Sequence, residues 1–145
     1  MAAGNFVVYM VGFEDVMNGL WDLDSATLNA HLCSAAYTPS ARSHSSWTVD
    51  ISAAEGQWSG YTTQVISGLA VSRDDPSHIR LDSNDITFSS TALMDAKYMV
   101  LERQSNRRPL CYVDLETGAT SGVAATQVVV SLPTNGLFRI SQPGI

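Results

Sequence analysis

The sequence contains little positive charge. It has one lysine, Lys97, and seven arginines against 14 acidic residues, which gives a formal net charge of −6. A protein that binds along DNA or RNA needs a stripe or cluster of basic side chains to neutralise phosphates. The sequence therefore predicts no nucleic-acid partner.

The sequence also lacks a long apolar run. No segment approaches the 18 consecutive apolar residues that mark a transmembrane helix. The apolar stretch 6–13 is short, has no basic residue before it and runs into Glu14 and Asp15, so it does not read as a signal peptide either. We therefore expect no membrane partner.

Cysteine is scarce. The two cysteines, Cys33 and Cys111, are 78 positions apart and each lies inside an apolar run. That setting is more typical of buried free thiols than of a disulfide bridge. The prediction is a chain that folds in a reducing cytoplasm.

Recognisable catalytic and metal-binding motifs are missing. No nucleophile elbow, phosphate-binding loop or zinc-protease motif occurs, and His31, His44 and His78 have no zinc-like spacing. The Asp and Asn residues of 22–24, 74–75 and 82–85 are typical of corners and turns, with calcium binding as the alternative. The sequence thus predicts no catalytic residue, no metal and no cofactor. A pocket that placed His31 or His78 beside a carboxylate would reopen the enzyme alternative.

What remains is a weakly charged chain rich in small hydroxyl residues. Hydrophobic residues make up 45% of the sequence and charged residues 15%, and there are 18 serines and 11 threonines. A chain of this length fits one domain that buries about 70% of its unfolded surface. We predict a single β-rich domain over residues 1–145.

Strand patterns dominate after residue 23. Apolar or alternating segments of strand length, separated by turn residues, are found at 28–34, 64–72, 79–81, 86–88, 98–101, 110–113, 127–132 and 137–140. The segments 79–81 and 86–88 flank polar turn residues and predict a hairpin, and 98–102 and 110–115 predict a second one. Seven or eight short strands indicate a mainly β fold, an antiparallel β-sandwich or barrel.

Two segments do not follow this pattern. Residues 1–22 predict an amphipathic helix or an arm, with Asn5 as a plausible N-cap and Gly19 near the end, although Val7 and Val8 would also suit a strand. Residues 38–60 are rich in Ser, Thr, Ala and Gly and predict a long irregular loop. Loops of this length are usually functional or contact something.

Six residues are candidates for contacts with a partner or another subunit. Trp47 and Trp58 lie in the long loop, and large aromatic side chains either anchor a loop or fill pockets on a partner. A third interpretation of the two tryptophans is a platform for carbohydrate. Arg103, Arg107 and Arg108 form the basic cluster at a predicted hairpin tip, either solvated or reaching a partner's acidic surface. Phe6 completes the set through the N-terminal segment.

Five segments carry a resemblance to a known family. They are Gly19-Leu20-Trp21-Asp22-Leu23-Asp24-Ser25-Ala26-Thr27-Leu28, Ala30-His31-Leu32-Cys33-Ser34-Ala35-Ala36-Tyr37-Thr38-Pro39, Gly60-Tyr61-Thr62, Ala96-Lys97-Tyr98-Met99-Val100-Leu101 and Leu110-Cys111-Tyr112-Val113-Asp114-Leu115. In this order the chain, over roughly residues 6–140, resembles small virion structural proteins of tailed bacteriophages. Thr63-Gln64 departs from the small or glycine-rich continuation of that pattern.

The resemblance implies an assembly protein rather than an enzyme. Some family members are capsid decoration (cement) proteins, so it implies a homotrimer on the outer surface of the virion that binds the major capsid protein after synthesis in the host cytoplasm. A tail, neck or head-fibre component is the first alternative, and a carbohydrate-binding β-sandwich is the second. Few charges and many small side chains suit docking, because long charged side chains lose water and rotamer freedom at an interface.

Overall fold

The computed structural model describes residues 5–75, 77–117 and 121–141, without the side chains of Asp74, Asp75 and Phe138. The ends of the predicted domain, 1–4 and 142–145, and part of the acidic stretch weighed for calcium lie outside this description. In the described residues the chain is mainly β, with antiparallel sheets and a short N-terminal helix, which confirms the predicted fold class.

Ten strands and one α-helix are present among the described residues. In chain order they are β1 (Val7–Val8), α1 (Met10–Met17), β2 (Leu28–Cys33), β3 (Gln64–Val65), β4 (Ala70–Asp75), β5 (His78–Asp82), β6 (Ile86–Ala96), β7 (Tyr98–Arg103), β8 (Arg108–Asp114), β9 (Val123–Val130) and β10 (Phe138–Ser141). The strands form three open sheets, ordered β1-β8-β7-β2-β3, β10-β5-β4 and β6-β9. The described strands therefore do not close into a barrel, which was one of the two predicted architectures.

The five-stranded sheet is covered on both faces. On one face, Leu28, Ala30 and Leu32 of β2 join the main core with residues of β5, β6 and β9. On the other face, Cys33 and Val100 pack with Tyr9 and Trp47 in a second core. All six residues of β2 are consequently buried, although the sequence pattern separates an apolar from a more polar side.

The N-terminal helix is shorter than predicted. It spans Met10–Met17 and begins at Tyr9 without a side-chain cap, so the N-cap predicted at Asn5 is wrong. Val7 and Val8 instead pair with Tyr112 and Cys111 of β8, because β-branched residues suit a strand edge. The helix ends at Met17, before the predicted limit of 22, and Gly19 follows its C-cap at φ +70°, near the end as predicted.

The hairpin predicted between 79–81 and 86–88 is wrong. Both segments are strands, but β5 pairs with β4 and β10 whereas β6 pairs with β9. The turn at 82–85 moves the chain from one sheet to another, and this lets Leu81 and Phe88 enter the same core. The second predicted hairpin, β7 with β8, is confirmed.

The long connection 38–60 contains two short helical turns. Trp47–Ile51 forms a π-helical turn that begins with Ser46 accepting a hydrogen bond from the Val49 amide, and Ser52–Ala54 forms a 3₁₀ turn. Trp47 and Ile51 insert into the second core. The connection therefore lies packed against the five-stranded sheet.

Candidate functional site

Helix α1 presents a row of large apolar side chains to solvent. Met10 is 60% exposed, Phe13 42%, Met17 76% and, just after the helix, Leu20 53%. Their three- and four-residue spacing places them on one side, while Val11, Gly12 and Asp15 face the protein. We call these four residues the helix stripe. Within the described structure no element covers it.

A groove continues the stripe onto the sheet that contains β10. Phe13 lines a cavity of about 560 Å³ together with Phe6, Leu137 and Ile140. Ile140 is directly opposite Ile79 on β5, and both side chains are about half exposed. Exposed apolar side chains thus extend from the helix, across a groove that Asn5, Asn135 and Arg139 also line, to β10 and β5.

The three aromatic candidates occupy different environments. Phe6 is half-buried and packs against the main core while lining the groove. Trp47 is 1% exposed and offers no surface to a partner in this arrangement. Trp58 is half-buried and lines a separate surface pocket.

The three arginines are engaged in contacts within the chain. Arg107 forms an ion pair with the buried carboxylate of Glu102 at 3.0 Å, and Arg108 with that of Asp15 at 2.7 Å. Arg103 lies over the ring of Trp21, 5.8 Å from its centroid. The predicted hairpin tip exists, but its charges hold the sheet, α1 and the preceding corner together.

A cluster of charged side chains surrounds the buried ring of His31. Its Nδ1 lies 2.8 Å from Glu55 Oε1 and its Nε2 lies 3.0 Å from Glu102 Oε1. The ring is 3% exposed and stacks on Trp47 with centroids 3.8 Å apart. We refer to His31, Glu55, Glu102 and Arg107 as the charge cluster.

The cluster favours the charged form of His31. Burial lowers the pKa of His31, but the hydrogen bonds and charges of Glu102 and Glu55 outweigh it and the pKa lies above its ordinary value. Burial likewise raises the pKa of Glu55, and the hydrogen bond and charge of His31 more than reverse this, so that pKa is lowered. When charged, this ring donates from both nitrogens and has no lone pair left to accept a proton from a substrate.

The structure therefore does place His31 beside carboxylates, the arrangement that would reopen the enzyme alternative. The ring is inaccessible and fully engaged, which favours a structural role for this histidine. The absence of an enzymatic activity remains a prediction.

Glu55 is the member of the cluster that reaches the surface. Its Oε1 accepts hydrogen bonds from Tyr61 Oη and Thr63 Oγ1, both at 3.1 Å, in addition to facing His31. Together with Gln57, Trp58 and Thr62 it lines a surface pocket of about 370 Å³. We call this the Trp58 pocket.

The acidic residues weighed as metal ligands have structural contacts. Asp22 Oδ1 accepts from the Asp24 amide, and Asp24 Oδ1 accepts from the Val71 amide, which joins the corner at 22–25 to β4. Among the described residues, no group of three or more His, Cys, Asp or Glu side chains is arranged to hold a metal ion. No helix in that part of the chain is long and apolar enough to span a membrane.

Sequence reasoning missed both the helix stripe and the charge cluster. The sequence predicts an amphipathic helix or arm here, but apolar periodicity does not say which side the protein covers, so it does not mark Met10, Met17 and Leu20 as exposed. His31, Glu55 and Glu102 lie on different elements and have no diagnostic spacing, so only the pairing of β2 with β7 brings two of them together.

Comparison with protein-family models, with curated proteins and with solved structures gave no match. The resemblance to phage virion proteins therefore rests on the sequence segments alone.

Proposed function

We propose that this chain is a capsid decoration protein of a tailed bacteriophage. In this proposal it binds the outer surface of the major capsid protein shell as a homotrimer and stabilises the shell. The family resemblance supports the class of protein. The observation that carries the proposal is the helix stripe, a surface that a protein working alone would not need.

The stripe favours a protein partner. Scattered exposed apolar residues are ordinary, but three large ones on one side of a helix and a fourth just after it, continued by a groove, are typical of interaction surfaces. Covering each half-exposed side chain contributes about 1 kcal/mol. Each contact is modest, but it is repeated in the many copies bound to a shell. Because each trimer binds only assembled capsid subunits, binding stabilises the shell.

The charges support docking that depends little on electrostatics. The one lysine of the sequence is buried, with Nζ 2.7 Å from Asp114 Oδ1, and so presents no free ammonium group. Arg107 and Arg108 are paired within the chain. Neither membrane nor nucleic acid forms part of this proposal.

The direct test is binding to phage heads that lack the protein. We expect saturable, stoichiometric co-sedimentation of the purified protein with heads, largely insensitive to salt. The double variant Met17→Ser with Leu20→Ser should weaken binding at least tenfold, because two stripe side chains lose their apolar contacts. Both positions are exposed, so the fold should be retained.

Leu93→Ser provides the matched control, since Leu93 is equally exposed but lies on β6 away from α1. It should bind like the parent protein. Lack of binding to every form of head, or equal binding by the stripe variant, would refute the proposal.

A tail, neck or head-fibre component is the alternative within virions, and the same stripe would serve it. Cryo-electron microscopy of the particle separates the two by copy number. Hundreds of icosahedrally ordered copies indicate decoration, whereas a six- or twelve-fold ring indicates the tail or neck.

A further inference from the structure

From the Trp58 pocket we infer a second function, the binding of a neutral, hydroxyl-rich ligand such as a pyranose sugar. This inference is independent of the proposed capsid binding, since the pocket and the helix stripe share no residue. Of the two tryptophans that the sequence offered as a carbohydrate platform, the structure favours Trp58, because Trp47 is buried.

The indole of Trp58 is held in place as a rigid platform. Gly56 lies against it so closely that a Cβ at that position would stand 1.8 Å from Trp58 Cζ3. Tyr61 contacts it edge-on with centroids 5.4 Å apart, and Tyr61 in turn stacks on Phe88 of the core. A fixed aromatic surface binds the apolar face of a sugar ring with little loss of side-chain entropy.

Polar groups around the indole remain available. Trp58 Nε1 has no acceptor among the described residues and is not buried, so it can donate to a ligand. Glu55 Oε2 likewise is not buried and has no partner there, while Oε1 takes all the internal contacts. The exposed side chains of Gln57 and Thr62 add further groups: Gln57 Nε2 makes one long internal bond, 3.5 Å to Glu55 O, and Thr62 Oγ1 accepts from Gln64, which leaves the Gln57 carbonyl and the Thr62 hydroxyl proton for a ligand.

The charge of the pocket selects against other ligands. Among the described residues no cationic side chain lines it, so a phosphate or carboxylate ligand would meet the Glu55 carboxylate with no cation in the pocket to pair with. The charge of Glu55 is itself balanced by His31 at 2.8 Å, which reduces the attraction for cations. The volume of about 370 Å³ lies in the lower part of the range for small-molecule sites.

The test is saturation-transfer NMR on the full chain with glucose, galactose, N-acetylglucosamine and cellobiose, and with tetramethylammonium as a cationic probe. We expect transfer to the ring protons of at least one sugar, with millimolar affinity. Trp58→Ala should abolish the transfer. Gln57→Ala, an exposed change that leaves the core intact, should weaken binding about 3- to 10-fold through one lost hydrogen bond.

The Met17→Ser with Leu20→Ser variant should bind the sugar normally, and Trp58→Ala should still bind heads if it folds. The proposal of capsid binding and the inference of sugar binding can thus be refuted separately. If Trp58→Ala does not fold, Gln57→Ala decides. No transfer to any sugar, transfer to tetramethylammonium alone, or unchanged sugar binding by the folded variants would overturn the inference.

Discussion

At the scale of single residues, the charge cluster is the most constrained part of the molecule. The buried Glu102 Oε1 accepts from Asn29 Nδ2 at 3.2 Å and faces the buried ring of His31 on one side and the exposed Arg107 on another. Charges taken out of water are tolerated only when they are paired and hydrogen-bonded. The cluster therefore fixes how the connection 38–60 sits on the sheet, because Glu55 and Trp47 both contact the ring of His31.

Replacement of His31 by glutamine should lower the free energy of unfolding by about 3–5 kcal/mol, as expected when one partner of a buried ion pair is removed. The loss should depend on pH. Because the pKa of His31 is raised, its contribution is complete below the ordinary value of 6.5 and is lost as pH rises through the folded-state pKa. Because the pKa of Glu55 is lowered, its contribution is present above 4.5 and is lost as pH falls through the folded-state pKa.

Urea unfolding of the parent protein and His31→Gln between pH 4 and pH 9 measures this difference. We expect it to be largest between about pH 4.5 and 6.5 and to shrink on both sides. His44→Gln, a change at a half-buried histidine outside the cluster, serves as the control. A difference that stays constant with pH would contradict the assignment.

At the scale of elements, α1 is seated by close backbone contact with β8. A Cβ on Gly12 would lie 2.9 Å from Leu110 Cα, from Leu110 O and from Pro109 O. Arg108 reinforces this contact by pairing with Asp15 on the helix. The close approach buries one side of α1 and thereby leaves the helix stripe outside.

Gly12→Ala should destabilise the protein by about 1–3 kcal/mol, because backbone atoms cannot yield to the added methyl group. Helix propensity alone predicts the opposite sign, a gain of up to about 1 kcal/mol over glycine. Thermal unfolding compared with Glu14→Ala, an exposed change in the same helix, distinguishes the two effects. A stabilised Gly12→Ala would show that the helix is not held this tightly.

Local patterns predicted the strands well and their partners poorly. Alternation and turn residues located β2, β7 and β8 to within a few residues, because those signals are encoded along the chain. Only the first three residues of β6, 86–88, were predicted; its continuation over residues 89–96, rich in small and polar residues, was not. The sequence also did not predict which strands share a sheet, since the pairing of β10 with β5 depends on contacts between distant segments.

The candidate site was predictable only in part. The sequence identified the tryptophans and arginines as candidates for contacts. Whether each one is buried or exposed decides its role, and burial is a property of the assembled fold. Trp47 became a core residue and Trp58 a surface one, although both lie in the same loop. Nothing in the sequence near either residue distinguishes these outcomes.

At the scale of the whole molecule, the two cores enclose both cysteines. Cys33 belongs to the core beneath α1 and Cys111 to the main core, and both are free and buried. This confirms the prediction of buried free thiols. Burial, with the charge of Glu55 added, raises the pKa of Cys33 to about 12, and burial alone raises the pKa of Cys111.

In the native protein neither thiol should react with a disulfide reagent such as DTNB at pH 8, because the thiolate is scarce and the sulfur is inaccessible. Two thiols should react in guanidinium chloride. Absorbance at 412 nm gives the count directly. Cys33→Ala, which should leave one thiol in denaturant and none under native conditions, provides the control, and a reactive thiol in the native parent would contradict the arrangement of the two cores.

The pairing of β1 with β8 has a consequence for synthesis in the cell. Val7 pairs with Tyr112, which is synthesised about 100 residues later. At a translation rate of about 5–20 residues per second, β1 therefore has no partner strand for roughly 5–20 s. During that time the apolar residues around it have no sheet to join, and contacts of such large sequence separation also slow folding. We therefore expect a chain whose translation is arrested before β8 to expose these apolar residues and to aggregate more readily than the complete protein.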